Sequence, residues 1–284
     1  MNSLRPPPFL ENGTFLWDML GYFYAELPPK SLRDARMVTS KEPWLALAAI
    51  LEQAKSGNHE PVGGLVTLAN FNVSRDLARS CLTLLGDAGT KLQVEQLVDV
   101  LVNETDDYPR VVACDAALHV GYLWLVPYML EAWNGVRRHS ERDAISLFLS
   151  MLLEEEPGPI IANEGYSIEE YNQLVTRRAS ELEDQHGTDQ LVLFAGRPFN
   201  VVSLARHMLD LVRTSSNEPG ISGEFHPLRH RFEASTGIDC SRFFQDGELR
   251  PLSTAAILES FLEGPERSKY QEGVRYFFGH RVPA

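Results

Sequence analysis

Long apolar runs are missing from this chain of 284 residues. No stretch approaches the roughly 20 consecutive apolar residues that a membrane helix needs, and the opening MNSLRPPPFLENG holds no apolar segment of signal-peptide length. A cytoplasmic protein is the expectation. Cysteine is scarce as well. Cys81, Cys114 and Cys240 are odd in number and far apart, and two of them sit inside apolar helical patterns. That argues against a disulfide framework or a structural zinc site, and fits a reducing compartment. Positive charge is in deficit: 26 Lys and Arg face 39 Asp and Glu, a net charge of −13. Nucleic-acid affinity rests mainly on Lys and Arg, so a basic protein partner is expected and direct nucleic-acid binding is not. Phosphate-loop signatures are absent too, because the pairs Gly63, Gly64 and Gly86, Gly89 lack the spacing and the Lys, and read as packing and turn glycines.

What is present is helical periodicity. Residues 14–27 place Phe15, Trp17, Leu20, Phe23 and Tyr24 near one face of a helix ended by Pro28 and Pro29. A short helix from Ser31 and another over 41–55, with Pro43 near its start, complete an expected N-terminal cap, residues 1–59.

From Glu60 the pattern repeats. Apolar helices over 62–71, 91–102 and 125–133 are each followed by a polar break and a second helix, over 74–85, 108–120 and 140–153. The second helices, which open near Arg75, Arg110 and Arg142, align on Ala78, Ala113 and Ala144. Cys81, Ala116 and Leu147 then form the next inward column, and Leu85, Val120 and Met151 lie one turn on. Ser80, Asp115 and Ser146 share an outward column. Each hairpin has too much apolar surface to stand alone, and the small residues let neighbours approach, so stacking is expected. These residues resemble the HEAT-like class of α-helical repeat proteins. The resemblance implies an all-α fold: a short HEAT-like α-solenoid over 60–158, then a mainly helical C-terminal module, 159–284, packed on the repeats.

The Pro- and Gly-containing break after Glu154, Glu155 and Glu156 is the expected boundary. Ser167 with Glu170 three positions on is a capping box for a helix over 167–186. A short apolar run at 191–194 reads as a strand or a helix start, 201–213 as a helix, 215–225 as a loop, and 254–263 as a helix with Ser253 as its N-cap. The tail YQEGVRYFFGHRVPA carries Tyr270, Tyr276, Phe277 and Phe278, too apolar to float free. Acidic helical hairpins ending in FFGHRVP resemble bacterial immunity proteins of polymorphic toxin systems. The implied role is stoichiometric inhibition of a cognate toxin domain in the cytoplasm.

Residues that point to chemistry are few. His226 and His230 have the spacing of two metal ligands on one helix turn, and Asp239, Cys240 and His280 are the imaginable additions. No Glu follows the first His as a metalloprotease pattern requires, so an enzyme using His226, His230 and Cys240 stands as an alternative, with no cofactor, metal or catalysis expected. Arg229, Arg231 and Arg242 lie near Glu233 and Asp239, and internal ion pairs are expected of them. The middle of the chain is the most acidic part, with fifteen acids against seven bases over 60–160. Its acids divide between opposite edges of a solenoid, which leaves Asp76, Asp106, Asp107 and Asp115 as candidate contacts for a basic toxin domain. Tyr108 and Tyr122 are the candidate aromatic anchors. A scaffold or adaptor for a protein assembly is the second reading of the same repeats.

Overall fold

The computed structural model describes residues 5–11, 21–24, 26–156, 158–161, 165–215 and 221–284. Helix dominates throughout, in agreement with the all-α expectation. After α1 (Pro8–Glu11), two 3-10 turns, Lys30–Arg33 and Ala35–Thr39, lead into α2 (Pro43–Lys55). Pro43 occupies the first turn, where its missing N–H has no intrahelical partner to lose. Residues 14–20 and 25 of the helix expected over 14–27 lie outside the described residues, and residues 21–24 belong to no helix.

Three helix pairs follow. Helix α3 (Leu65–Leu68) packs on α4 (Arg75–Ala88), α6 (Leu97–Asn103) on α7 (Asp107–Val120), and α8 (Val126–Gly135) on α9 (His139–Leu153). The first helices are shorter than their periodicity suggests. Residues 62–71 resolve into a 3-10 turn, Glu60–Gly64, and the single turn α3, while α5 (Lys91–Val94) and α6 divide the second. Helices α4, α7 and α9 pack in a row, and α6, α8 and α10 (Ile168–His186) pack in another. Small residues set the spacing between α4 and α7. Ala78 and Ala113 are fully buried, and a Cβ added to Gly86 would stand 2.6 Å from the Ala116 carbonyl oxygen.

The third pair departs from the expected register. Leu147 is 41% exposed and Ala144 half-buried, while Ile145, Leu149, Leu152 and Leu153 face inward. Ser146 is buried because it accepts from Trp133 Nε1 and bonds the Tyr171 hydroxyl, both at 3.0 Å. Ser80 is buried as well, so of the expected outward column only Asp115 retains exposure.

The C-terminal half contains three small β-hairpins that periodicity does not announce: β1 (Leu193–Phe194) with β2 (Arg197–Pro198), β3 (Phe244–Gln245) with β4 (Glu248–Leu249), and β5 (Tyr276–Phe277) with β6 (His280–Arg281). All three turn on two residues with positive φ: Ala195 and Gly196 at 53° and 64°, Asp246 and Gly247 at 54° and 81°, Phe278 and Gly279 at 48° and 76°. Two left-handed residues in a two-residue turn match the right-handed twist of the strands. Between the hairpins lie α11 (Val201–Ser215), α12 (Ile221–Thr236) and α13 (Pro251–Glu263). Helix α12 starts inside the segment expected to be a loop, which puts Pro227 inside the helix rather than in its first turn, and α13 starts two residues before Ser253, with Arg250 at its N-cap.

Two of the hairpin tips close the ends of helices. The Ala195 and Gly196 N–H groups donate to the Met151 and Leu152 carbonyls at the end of α9, at 2.8 and 3.0 Å. Phe278 and Gly279 donate to Ala234 and Ser235 at the end of α12, at 2.7 and 2.8 Å. The orphan carbonyls of a helix C-terminus are thus satisfied by a turn from elsewhere in the chain. The buried apolar residues, from Phe9 to Val282, form one continuous cluster, with the tail residues Tyr276 and Phe277 inside it. Among the described residues, no helix is long and apolar enough to cross a membrane.

Candidate functional site

The residues singled out by sequence are not one surface. Asp76 is exposed in the first turn of α4. Asp106 caps α7 by accepting from the Tyr108 N–H, and lies 3.5 Å from Arg75. Asp107 is buried: its Oδ2 accepts from the backbone N–H groups of Arg137 and Arg138, both at 3.2 Å. It ties the start of α7 to the loop before α9 and is withdrawn from partners. Tyr108 is half-buried, edge-on to Phe71 and beneath Arg75. Tyr122 is buried, stacked on Trp124 with the Arg275 guanidinium over its ring, so its aromatic surface is spent inside the protein.

The imagined ligand set on α12 does not assemble. His226 stacks on Phe244 with ring centroids 4.2 Å apart, and His280 is exposed. The Asp239 carboxylate accepts from the Ser241 N–H. Cys240 is buried, with Sγ 3.4 Å from the Ile238 carbonyl, and burial together with the Glu233 charge pushes its thiol well up, the reverse of what a nucleophile requires. Only His230 joins a cluster, and its partners come from elsewhere.

That cluster forms where α4, α7 and α12 meet. Asp87 is the penultimate residue of α4, and Asp115 and His119 stand one turn apart on α7. Asp87 Oδ1 lies 2.9 Å from His119 Nδ1, and Oδ2 lies 2.8 Å from His230 Nε2. The Tyr22 hydroxyl also donates to Oδ2. Asp115 Oδ1 is 3.6 Å from the other nitrogen of His119. The two rings meet edge to face at 4.7 Å. Asp115, His119 and His230 line a cleft of about 160 Å3, whose other walls include Phe148, Met151 and Pro227.

The electrostatics follow from burial and pairing. Burial alone raises the Asp87 carboxyl, but the two imidazoles outweigh it and hold the group well below the usual carboxylate range. Burial lowers His119, and Asp87 and Asp115 together more than reverse this, carrying its pKa up to about 10. Two buried arginines stand nearby without pairing to Asp87. Arg231 Nη1 donates to the Leu118 carbonyl at 3.0 Å, and Arg275 Nη1 to that of Gly89 at 2.6 Å, with its Nη2 donating to Gly86. Both guanidiniums therefore rest on the C-terminal carbonyls of α7 and α4, where helix dipoles favour positive charge. The expected internal ion pair is present as Arg229 and Glu233, 3.2 Å apart, with Glu233 also accepting from the Tyr22 and Cys240 N–H groups.

Asp87, His119 and His230 offer ligand atoms that all lie within 4.8 Å of one another. Sequence reasoning passed over the first two, because Asp87 sits in a glycine-rich helix end and His119 in an apolar helix. The one local signal is a charged or imidazole side chain on an otherwise apolar helix face. No family model, curated protein or solved structure matches this chain, so the reading of the site rests on its own geometry.

Proposed function

We propose that this chain is a binding protein built on three HEAT-like helical hairpins, and that it acts as a cytoplasmic immunity protein, neutralising a basic toxin domain by stoichiometric association. The supporting observation is the exposed acidic rim where α4 and α7 begin. Asp76 and Asp106 stand there on solvent-exposed first turns, in the segment that carries fifteen of the acids against seven bases. Helix N-termini are favourable places for carboxylates in the free protein, so this charge is held in position at little cost. A fixed acidic rim accelerates encounter with a basic domain, and does so most at low salt.

The test is co-expression with a candidate basic toxin domain from a neighbouring gene, read as growth rescue and as a one-to-one complex. Asp76→Lys with Asp106→Lys is expected to slow association at least tenfold at low ionic strength while leaving the fold intact. Failure to rescue growth or to form the complex sinks the reading, and capture of a non-toxin assembly in their place favours an adaptor.

A further inference from the structure

We propose that Asp87, His119 and His230 form a mononuclear site for a divalent transition cation, zinc by ligand type, whose open coordination position faces the cleft lined by Phe148, Met151 and Pro227. This goes beyond protein binding and does not depend on it.

The donor set carries the argument. Two imidazole nitrogens and one carboxylate suit zinc and its first-row neighbours, whereas calcium and magnesium favour oxygen ligands. The ligand atoms come from three helices, yet all lie within 4.8 Å of one another. A tetrahedral ion with bonds of about 2.0–2.2 Å spaces its ligands by roughly 3.4 Å. The observed Asp87 contacts of 2.8 and 2.9 Å reach that spacing by small side-chain rotations.

The surroundings have the form of a metal site's outer shell. Asp115 Oδ1, 3.6 Å from His119 Nε2, is placed to accept the proton of that nitrogen while Nδ1 faces the ion. Carboxylate, histidine and metal in series is the usual way a ligand tautomer is fixed. The Tyr22 hydroxyl donates to Asp87 Oδ2, the oxygen that faces His230, and helps fix the carboxylate. Arg231 and Arg275 make no direct ion pair with Asp87, because their donors go to the backbone carbonyls of Leu118, Leu193, Gly89 and Gly86. Three protein ligands beside a cleft leave a fourth position for water or a ligand group, the arrangement of an open site rather than a structural one.

Untagged, full-length protein freed of metal is titrated with zinc chloride by calorimetry, and with cobalt(II) while the visible spectrum is recorded. One saturable ion per chain is expected, with intense cobalt bands diagnostic of tetrahedral nitrogen and oxygen ligation. His230→Gln is expected to weaken binding at least 100-fold, and Asp115→Asn by 10- to 100-fold, as outer-shell changes do. His139→Gln with His280→Gln, at exposed histidines, is expected to leave binding unchanged. No saturable binding by the unsubstituted protein overturns the proposal whatever the variants do. Binding that survives His230→Gln, or that disappears with the exposed histidines, overturns it equally.

Discussion

The helical hairpins before residue 154 and the module after residue 167 are held together by different forces. In the first, close approach and apolar burial dominate: α4 and α7 come together where Gly86 meets the Ala116 backbone. In the second, polar groups reach across long stretches of chain. A hairpin tip closes the end of α9, Arg275 seats on the carbonyls of α4, and His230 meets Asp87, 143 residues away in sequence. Apolar packing is forgiving in direction and strict in volume, whereas buried hydrogen bonds are strict in both.

That difference is sharpest at Arg229. Arg229→Met leaves Glu233 in the core without its ion-pair partner, and a loss of about 3–5 kcal/mol is expected in urea unfolding. A loss under 1 kcal/mol would mean that the backbone donors alone hold Glu233. Gly86→Val tests the apolar half: the added atoms meet the Ala116 backbone, and about 1–3 kcal/mol should be lost. An unchanged melting temperature would show that α4 and α7 separate without cost.

The acids offer a finer comparison. Asp107→Ala removes the acceptor for two backbone N–H groups and should cost about 1–3 kcal/mol, while Asp76→Ala, exposed, should stay within about 0.5 kcal/mol. Equal effects at the two sites would erase the distinction between buried and solvated carboxylates. For pH, the sign is set by His119, whose folded pKa of about 10 exceeds the ordinary 6.5. Its contribution in metal-free protein is complete below about 6.5 and is lost as pH rises toward 10. The urea midpoint should therefore fall across that window, and His119→Gln should flatten the fall. A small effect of the opposite sign is expected at Ala195→Gly, where releasing a left-handed alanine at φ 53° should add up to about 1 kcal/mol.

Legibility followed the same division. The second helices were readable within a few residues because apolar side chains recur at helical spacing, and the Ser167 and Glu170 capping box forms as its spacing requires. Register was less secure. Leu147 was expected inside and is exposed, because Trp133 and Tyr171 draw the polar Ser146 inward instead. The hairpins were nearly invisible, since strands of two residues carry no period; their sign is a repeated aromatic residue two positions before a glycine in Phe194, Phe277 and their turns.

For the candidate site, the sequence by itself determined the mainly helical character, the acidic surplus and the place of Cys81 and Cys114 within apolar helical patterns. These depend on composition and on neighbours a few residues apart. Tertiary structure alone decided that Asp107 and Tyr122 are interior, that His226 and Cys240 stand apart, and that Asp87, His119 and His230 converge. Each of those outcomes depends on which helix ends meet, and contacts between distant helix ends leave no trace in local spacing.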